Sequence, residues 1–71
     1  MKLYKPSGEL FAVCDDGKNI VTAAGEKFAV IDGQNIVSDT GDLIGVITRS
    51  KHMEVDCVMS DSGKLLFIIR D

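Results

Sequence analysis

The 71-residue chain contains two cysteines, one proline, one histidine and no tryptophan, and aromatic residues make up 6% of it. Cys14 and Cys57 are too few for a disulfide scaffold and too far apart in sequence for a paired metal knuckle. Both fall on the predicted core face by alternation, which favours two buried thiols that behave as small hydrophobic side chains over a redox pair. Basic residues number 8 against 11 acidic residues, a net charge of -3, which argues against a broad phosphate-binding surface.

Long apolar runs are also missing from the sequence. No run approaches the ~20 residues needed to cross a bilayer, and the start of the chain lacks the apolar core of a secretory signal. We therefore expect a cytoplasmic protein without membrane contact. Apolar residues make up 45% of the chain, enough for one core, so residues 1–71 are predicted to form a single small domain.

Regularly spaced glycines are the strongest positive feature. Gly17, Gly25, Gly33 and Gly41 recur every eight residues, with runs rich in Val, Ile, Phe and Thr between them. Glycine permits the positive φ of two-residue hairpin turns, and no window shows a helical period. The sequence therefore predicts an all-β meander of seven short antiparallel strands, a curled sheet or small barrel. These strands lie near residues 8–15, 18–24, 27–32, 34–40, 43–49, 52–59 and 64–70.

A faint internal repeat accompanies this spacing. Residues 18–21 are echoed by residues 34–37, and residues 25–30 by residues 41–46. Similar hairpins select similar residues, which explains the echo as well as a true duplication does. Both interpretations remain open on the sequence alone.

Two-residue turns allow the two faces of the sheet to be assigned by alternation. The predicted core face carries Leu10, Ala12, Val21, Ala23, Phe28, Val30, Val37, Ile44, Val46, Met53, Val55, Cys57, Leu66 and Ile68. The opposite face carries Phe11, Val13, Ile20, Ala29, Ile31, Ile36, Leu43, Ile47, Leu65, Phe67 and Ile69. Both faces are apolar, and no helix is predicted to cover the second one.

The second apolar face predicts contact with another copy of the chain, because burial between subunits would add to a marginal core. The interface residues expected from this argument are Phe11, Val13, Ile20, Ile31, Ile36 and Ile47. A homo-oligomer is therefore the predicted partner arrangement.

Several stretches of the chain resemble the tryptophan RNA-binding attenuation protein family. They are Asp16-Gly17-Lys18-Asn19-Ile20, Lys27-Phe28, Gly41-Asp42-Leu43-Ile44 leading to Thr48, then His52, and Gly63-Lys64-Leu65-Leu66. The resemblance implies subunits that join their sheets into a homo-oligomeric ring. It also implies tryptophan or a similar small molecule as a ligand at subunit boundaries. Thr48 is the matching pocket residue, and Gly25 lies in the loop Ala24-Gly25-Glu26, which is shorter than the threonine-rich loop that the family closes over its ligand.

RNA binding is the other expectation that the resemblance brings. The family's basic residues should alternate along the strand that here reads Met53-Glu54-Val55-Asp56. Glu54 and Asp56 are acidic at those positions, and carboxylates repel a phosphate backbone. RNA therefore stays an uncertain partner.

One short basic cluster offers an alternative contact for nucleic acid or another anion. Arg49, Lys51 and His52 lie at a predicted hairpin tip, where they would reach a phosphate or simply form a solvated turn. His52, Glu54 and Asp56 also alternate on one strand face, which suits a metal ion or cross-strand ion pairs. Because one imidazole and two carboxylates on a flat strand rarely enclose a metal, we expect no metal site.

Catalytic motifs are not recognisable in the sequence, so we expect no enzyme activity, no catalytic residues and no cofactor. The predicted function is a non-enzymatic oligomeric binding protein that takes up a small ligand or nucleic acid at subunit boundaries. A regulatory role is left open. The alternative is a protein-interaction module, such as an accessory or inhibitor protein of a phage or mobile element, that docks on a larger partner.

Overall fold

The fold is a closed antiparallel β-barrel. The computed structural model describes residues 1–49 and 54–70, and these form eight strands that follow one another around the barrel until β8 pairs with β1. The strands are β1 (Lys2–Tyr4), β2 (Leu10–Val13), β3 (Asn19–Thr22), β4 (Lys27–Asp32), β5 (Asn35–Val37), β6 (Leu43–Arg49), β7 (Asp56–Met59) and β8 (Leu65–Arg70). The predicted all-β meander is confirmed, in its small-barrel form.

The prediction of seven strands was one strand short. The missed strand is β1, which has three residues and closes the barrel by pairing with both β2 and β8. Its partner β2 begins at Leu10, whereas the first predicted strand began near residue 8. So short a segment carries too little alternation to be recognised without its neighbours.

Four hairpins of one design build the barrel: hairpin 1 (β1–β2), hairpin 2 (β3–β4), hairpin 3 (β5–β6) and hairpin 4 (β7–β8). The equivalent segments are residues 4–13, 21–30, 37–46 and 59–68, and each has a glycine at its fifth position. These four glycines have φ values of 97°, 90°, 90° and 86° in chain order. The repeat noticed in the sequence between residues 18–30 and 34–46 therefore extends around the whole barrel.

The four hairpin loops share their hydrogen bonds as well as their glycine. In hairpin 2, the Gly25 amide donates to the Thr22 carbonyl at 2.8 Å, and the Thr22 amide donates to the Glu26 carbonyl at 2.7 Å. The same two bonds recur in the other three hairpins. This is a three-residue loop closed by glycine in the left-handed region, not the two-residue turn that Gly25-Glu26 predicts.

Each hairpin also contains one residue without a cross-strand partner. In hairpin 2, Ile20 pairs with Ala29 and Val21 with Lys27, so Phe28 is the extra residue of a β-bulge. The same shift occurs in the other hairpins. The four bulge residues are Phe11, Phe28, Ile44 and Leu66. All four pack against the core, so strict alternation of faces fails once in every hairpin.

The barrel interior is filled by the first strand of each hairpin and by three phenylalanines. The central residues Leu3, Ile20, Ile36 and Val58 are at most 1% exposed. The Phe11 ring stacks on the Phe67 ring with centroids 4.7 Å apart, and it meets the Phe28 ring edge-on at 4.9 Å. Small residues, Ala12 and Ala29 among them, face these large side chains in the core. A barrel of eight strands is wide enough for such a packed core.

The sequence assignment of the two faces was wrong in part. Of the predicted core face, Ala12 and Cys57 are buried and Phe28, Ile44 and Leu66 pack against the core, whereas Leu10 and Ala23 are exposed and Met53 lies outside the described residues. The face predicted to lie at an oligomer interface is the one that fills the barrel: Ile20 and Ile36 are fully buried, and Phe11, Ile31 and Ile47 pack against the core. Of the six predicted interface residues, Val13 alone lies on the outer side, opposite Val21. The assignment was wrong because it counted the bulged Phe28, Ile44 and Leu66 with the valine face.

The closed sheet has a consequence for assembly. Each of the eight described strands is paired on both sides, so this part of the chain leaves no sheet edge that a neighbour could join. The ring that the family resemblance implies joins sheets, and that route would require the barrel to open. Contact between intact barrels has to use their outer surfaces. No helix long and apolar enough to span a membrane occurs in the described residues.

Candidate functional site

The two predicted ligand residues lie at opposite ends of the barrel. Gly25 is in the hairpin 2 loop, at the end where all four hairpin loops meet. β6 begins at Leu43, next to the hairpin 3 loop at this same end, and Thr48 lies five residues further along the strand. Five residues of strand span about 17 Å. Gly25 and Thr48 of one chain therefore do not line a common pocket.

The predicted anion contact is partly described, and its arginine is engaged within the chain. One guanidinium nitrogen of Arg49 donates to the Glu54 carbonyl at 2.8 Å, and another lies 3.7 Å from an Asp56 carboxylate oxygen. This cross-strand pair ties the ends of β6 and β7 together. Lys51 and His52 lie outside the described residues. The Cys, Asp and Glu residues within 1–49 and 54–70 form no group of three that could hold a metal ion, and the one histidine of the chain lies outside those ranges.

The two cysteines occupy packed positions. Cys14 and Cys57 are each 2% exposed, and both are free thiols. The prediction that both thiols are buried is confirmed.

The outer surface of the barrel carries the side chains that are not needed for the core. Outward positions on neighbouring strands line up in four equivalent rows, one for each junction between hairpins. Three rows are apolar: Val30–Val37–Leu43, Val46–Met59–Leu65 and Ile68–Tyr4–Leu10. The fourth row, Val13–Val21–Lys27, ends in a lysine.

Two leucines at equivalent places in these rows are the most exposed large apolar residues of the described strands. Leu43 is 53% exposed and Leu10 is 37% exposed. Leu10 lies on β2 and Leu43 on β6, four strands apart in a barrel of eight. The two leucines therefore face opposite directions, both near the end that carries the hairpin loops.

A shallow pocket of about 270 Å³ lies beside Leu10. Its walls are Tyr4, Gly8, Ile68 and Arg70, and Tyr4 pairs directly with both Ile68 and Leu10. Arg70 is opposite Lys2 on the same outer side. The pocket thus combines an apolar floor with a basic rim.

A second pocket, of about 320 Å³, lies where β2 turns into β3. It is lined by Val13, Asp15, Asp16, Asn19 and Val21. The Asp16 carboxylate accepts hydrogen bonds from the Asn19 amide at 2.7 Å, the Asn19 side chain at 2.7 Å and the Lys18 amide at 2.8 Å. These bonds, with that of the Asn19 amide the strongest, lower the pKa of Asp16 from 3.8 to about 2. Asp16 therefore closes the connection of residues 14–18 between β2 and β3, which is longer than the two-residue turn that Asp16-Gly17 predicts.

Sequence reasoning missed the pocket beside Tyr4 because it left β1 out of the sheet. Without that strand, Tyr4, Gly8 and Arg70 have no common location. The signal available was the match of residues 4–13 to residues 21–30, which share a Gly-Glu step followed by Phe-Ala-Val.

Comparison of the chain with protein-family models, curated proteins and solved structures found no match.

Proposed function

We propose that the chain is a non-enzymatic binding protein that works through the outside of its barrel, where it assembles with further copies of itself and takes up a ligand at the subunit boundaries. The observation that carries this proposal is the contrast between a filled interior and three apolar outer rows. A ligand of a filled barrel has to bind outside. Apolar outer rows lose their contact with water when two barrels meet.

A small molecule is favoured over RNA as that ligand. Arg49 is held by Asp56 and by the Glu54 carbonyl, so its charge is already partly compensated. The chain as a whole carries a net charge of -3. Phosphate contacts need cations that are free to replace counterions. We therefore expect RNA binding at ~150 mM salt to be weak, with little dependence on Arg49.

The native mass in solution tests the proposal. Light scattering on the purified chain, from roughly 1 to 100 µM at ~150 mM salt, should show a species larger than one chain, because outer interfaces of standard size reach such affinities. A monomer throughout that range would refute self-assembly.

Docking on one larger partner is the second candidate function. It is favoured by the unequal rows, since Val13–Val21–Lys27 ends in a charge while the other three are apolar. If light scattering shows a monomer, the exposed Leu10 and Leu43 become the expected contact residues for such a partner.

A further inference from the structure

We propose that Leu43 of one copy inserts into the pocket beside Tyr4 of the next copy, so that the chain assembles head to tail. This inference rests on the proposed self-assembly and names the two surfaces that meet. The first surface, the knob, is Leu43 with the loop residues Asp39 and Asp42. The second surface, the socket, is the pocket lined by Tyr4, Gly8, Ile68 and Arg70.

The shapes of the two surfaces are complementary. Leu43 is 53% exposed, the largest exposed fraction among the large apolar side chains of the described residues. The socket has a volume of about 270 Å³ and an apolar floor formed by Tyr4 and Ile68. Gly8 leaves its wall open, since no atom lies within 4 Å of where a Cβ would stand. Because so much of Leu43 is in contact with water, its burial in the apolar pocket of another copy yields a large hydrophobic stabilisation.

The charges of the two surfaces are complementary as well. The knob loop contributes the carboxylates of Asp39 and Asp42 and has no basic residue between residues 38 and 42. The socket has Arg70 in its wall, and Lys2 is paired opposite Arg70 on the outer side. Opposite charges at the rim of an apolar contact fix its orientation and disfavour the contact of two knobs.

The positions of the surfaces determine the kind of assembly. The knob lies on β6, and the socket lies on β8 and β1, which are two and three strands from β6 around the barrel. A contact between two different surfaces leaves one free knob and one free socket on each dimer, so growth continues until a ring closes or a filament forms. Two patches of about 800 Å² each would cover about a third of the 4680 Å² surface of the chain.

The internal repeat supplies variants that the fold should accept. Lys27 occupies in hairpin 2 the place that Leu43 occupies in hairpin 3, so Leu43→Lys keeps the loop and the row intact. Lys64 stands in hairpin 4 where Asp42 stands in hairpin 3, and both loops form the same backbone bonds. Asp42→Lys is therefore compatible with the hairpin.

Analytical ultracentrifugation of single variants is the first experiment. Leu43→Lys and Arg70→Glu should each weaken association at least about tenfold, because each removes one half of the contact. Lys18→Glu is the matched control, a charge reversal at an exposed turn away from both surfaces, and it should assemble like the parent chain. The double variant Asp42→Lys with Arg70→Glu should recover part of the lost affinity. Circular dichroism confirms that each variant is folded.

Mixing the variants tests the head-to-tail geometry. Leu43→Lys keeps its socket and Arg70→Glu keeps its knob, so an equimolar mixture should form a heterodimer at a concentration at which the weakened association leaves each variant alone monomeric. The parent chain should form species larger than a dimer. Parent-like assembly of both single variants would overturn this interface and leave the proposed self-assembly standing. A monomeric parent chain would overturn both.

Discussion

Replacing Ile36 tests which side of the sheet is the core. Ile36 is 1% exposed and lies between Ile31 and Gly45 in the barrel interior. Ile36→Ala removes three carbon atoms, which costs about 2.4 kcal/mol in transfer free energy, and the cavity raises the total to roughly 2–5 kcal/mol. A domain of this length has about 4–11 kcal/mol of stability in all. The melting temperature should therefore fall by at least about 10 °C.

The next residue in the strand is the matched control. Val37 points outwards, is half-buried and pairs with Val30 and Leu43. Val37→Ala should cost less than about 1 kcal/mol, since only part of its side chain leaves the protein surface. Urea titrations of both variants, followed by circular dichroism, measure the difference in unfolding free energy. A Val37→Ala loss equal to or larger than the Ile36→Ala loss would show that the valine face is the core.

Two further predictions concern packing and acid stability. Gly45→Ala should destabilise the barrel by about 1–3 kcal/mol in a urea titration, because a Cβ there would lie 2.7 Å from Val58 Cγ1 and 2.9 Å from the Met59 carbonyl oxygen; an unchanged unfolding midpoint would contradict this packing. Asp16 has a pKa lowered from 3.8 to about 2 in the folded chain, so its carboxylate stabilises the fold above pH 3.8 and that contribution is lost as the pH falls towards 2. NMR titration should place the midpoint of Asp16 protonation near pH 2, and a midpoint near 3.8 would refute the hydrogen-bonded turn. Asp16→Asn should flatten the pH dependence of the unfolding free energy between these two pH values.

The strand order and most of the strands could be predicted from the sequence because glycines and β-branched runs are local signals. Each Gly marks a loop, and the next apolar run marks a strand, whatever the rest of the chain does. The loop length could not be predicted in this way, because a two-residue and a three-residue loop around Gly25 use the same residues. That choice sets the cross-strand register, so an error there spreads to every face assignment.

The interior and exterior of the barrel could not be separated by alternation, for a physical reason. Bulged Phe28 adds a large side chain to the core next to Ala29, which is also buried. In hairpins 1 to 3, the second strand therefore carries a small residue, Ala12, Ala29 or Gly45, at its regular inward position and a large one at the bulge. Judged by side-chain size, the outward Val30 in the same strand as Ala29 resembles a core residue more than the buried Ala29 does.

The candidate surfaces depended on contacts between distant parts of the chain. The socket combines β1 with β8, and the closure of the barrel brings Tyr4 next to Ile68. Nothing local in either segment indicates that pairing. By contrast, the basic cluster at Arg49 was visible in the sequence, and the structure adds that Asp56 pairs with its arginine.

Residues at the same position of the four hairpins can be compared, and the differences show which side chains the barrel needs for its packing. Inside the barrel, Ala12, Ala29 and Gly45 are small where the fourth hairpin has Phe67, and the large ring packs into the core that the small residues share. That difference is explained by packing within one chain.

The outer positions have no such internal explanation. Leu10, Lys27, Leu43 and Leu65 occupy the same place in four similar hairpins, and Lys27 shows that the barrel accepts a charged residue there. Three leucines at places that tolerate lysine are therefore not a requirement of folding. The proposed head-to-tail assembly would account for the most exposed of them, because it removes Leu43 from water in the socket of the next copy.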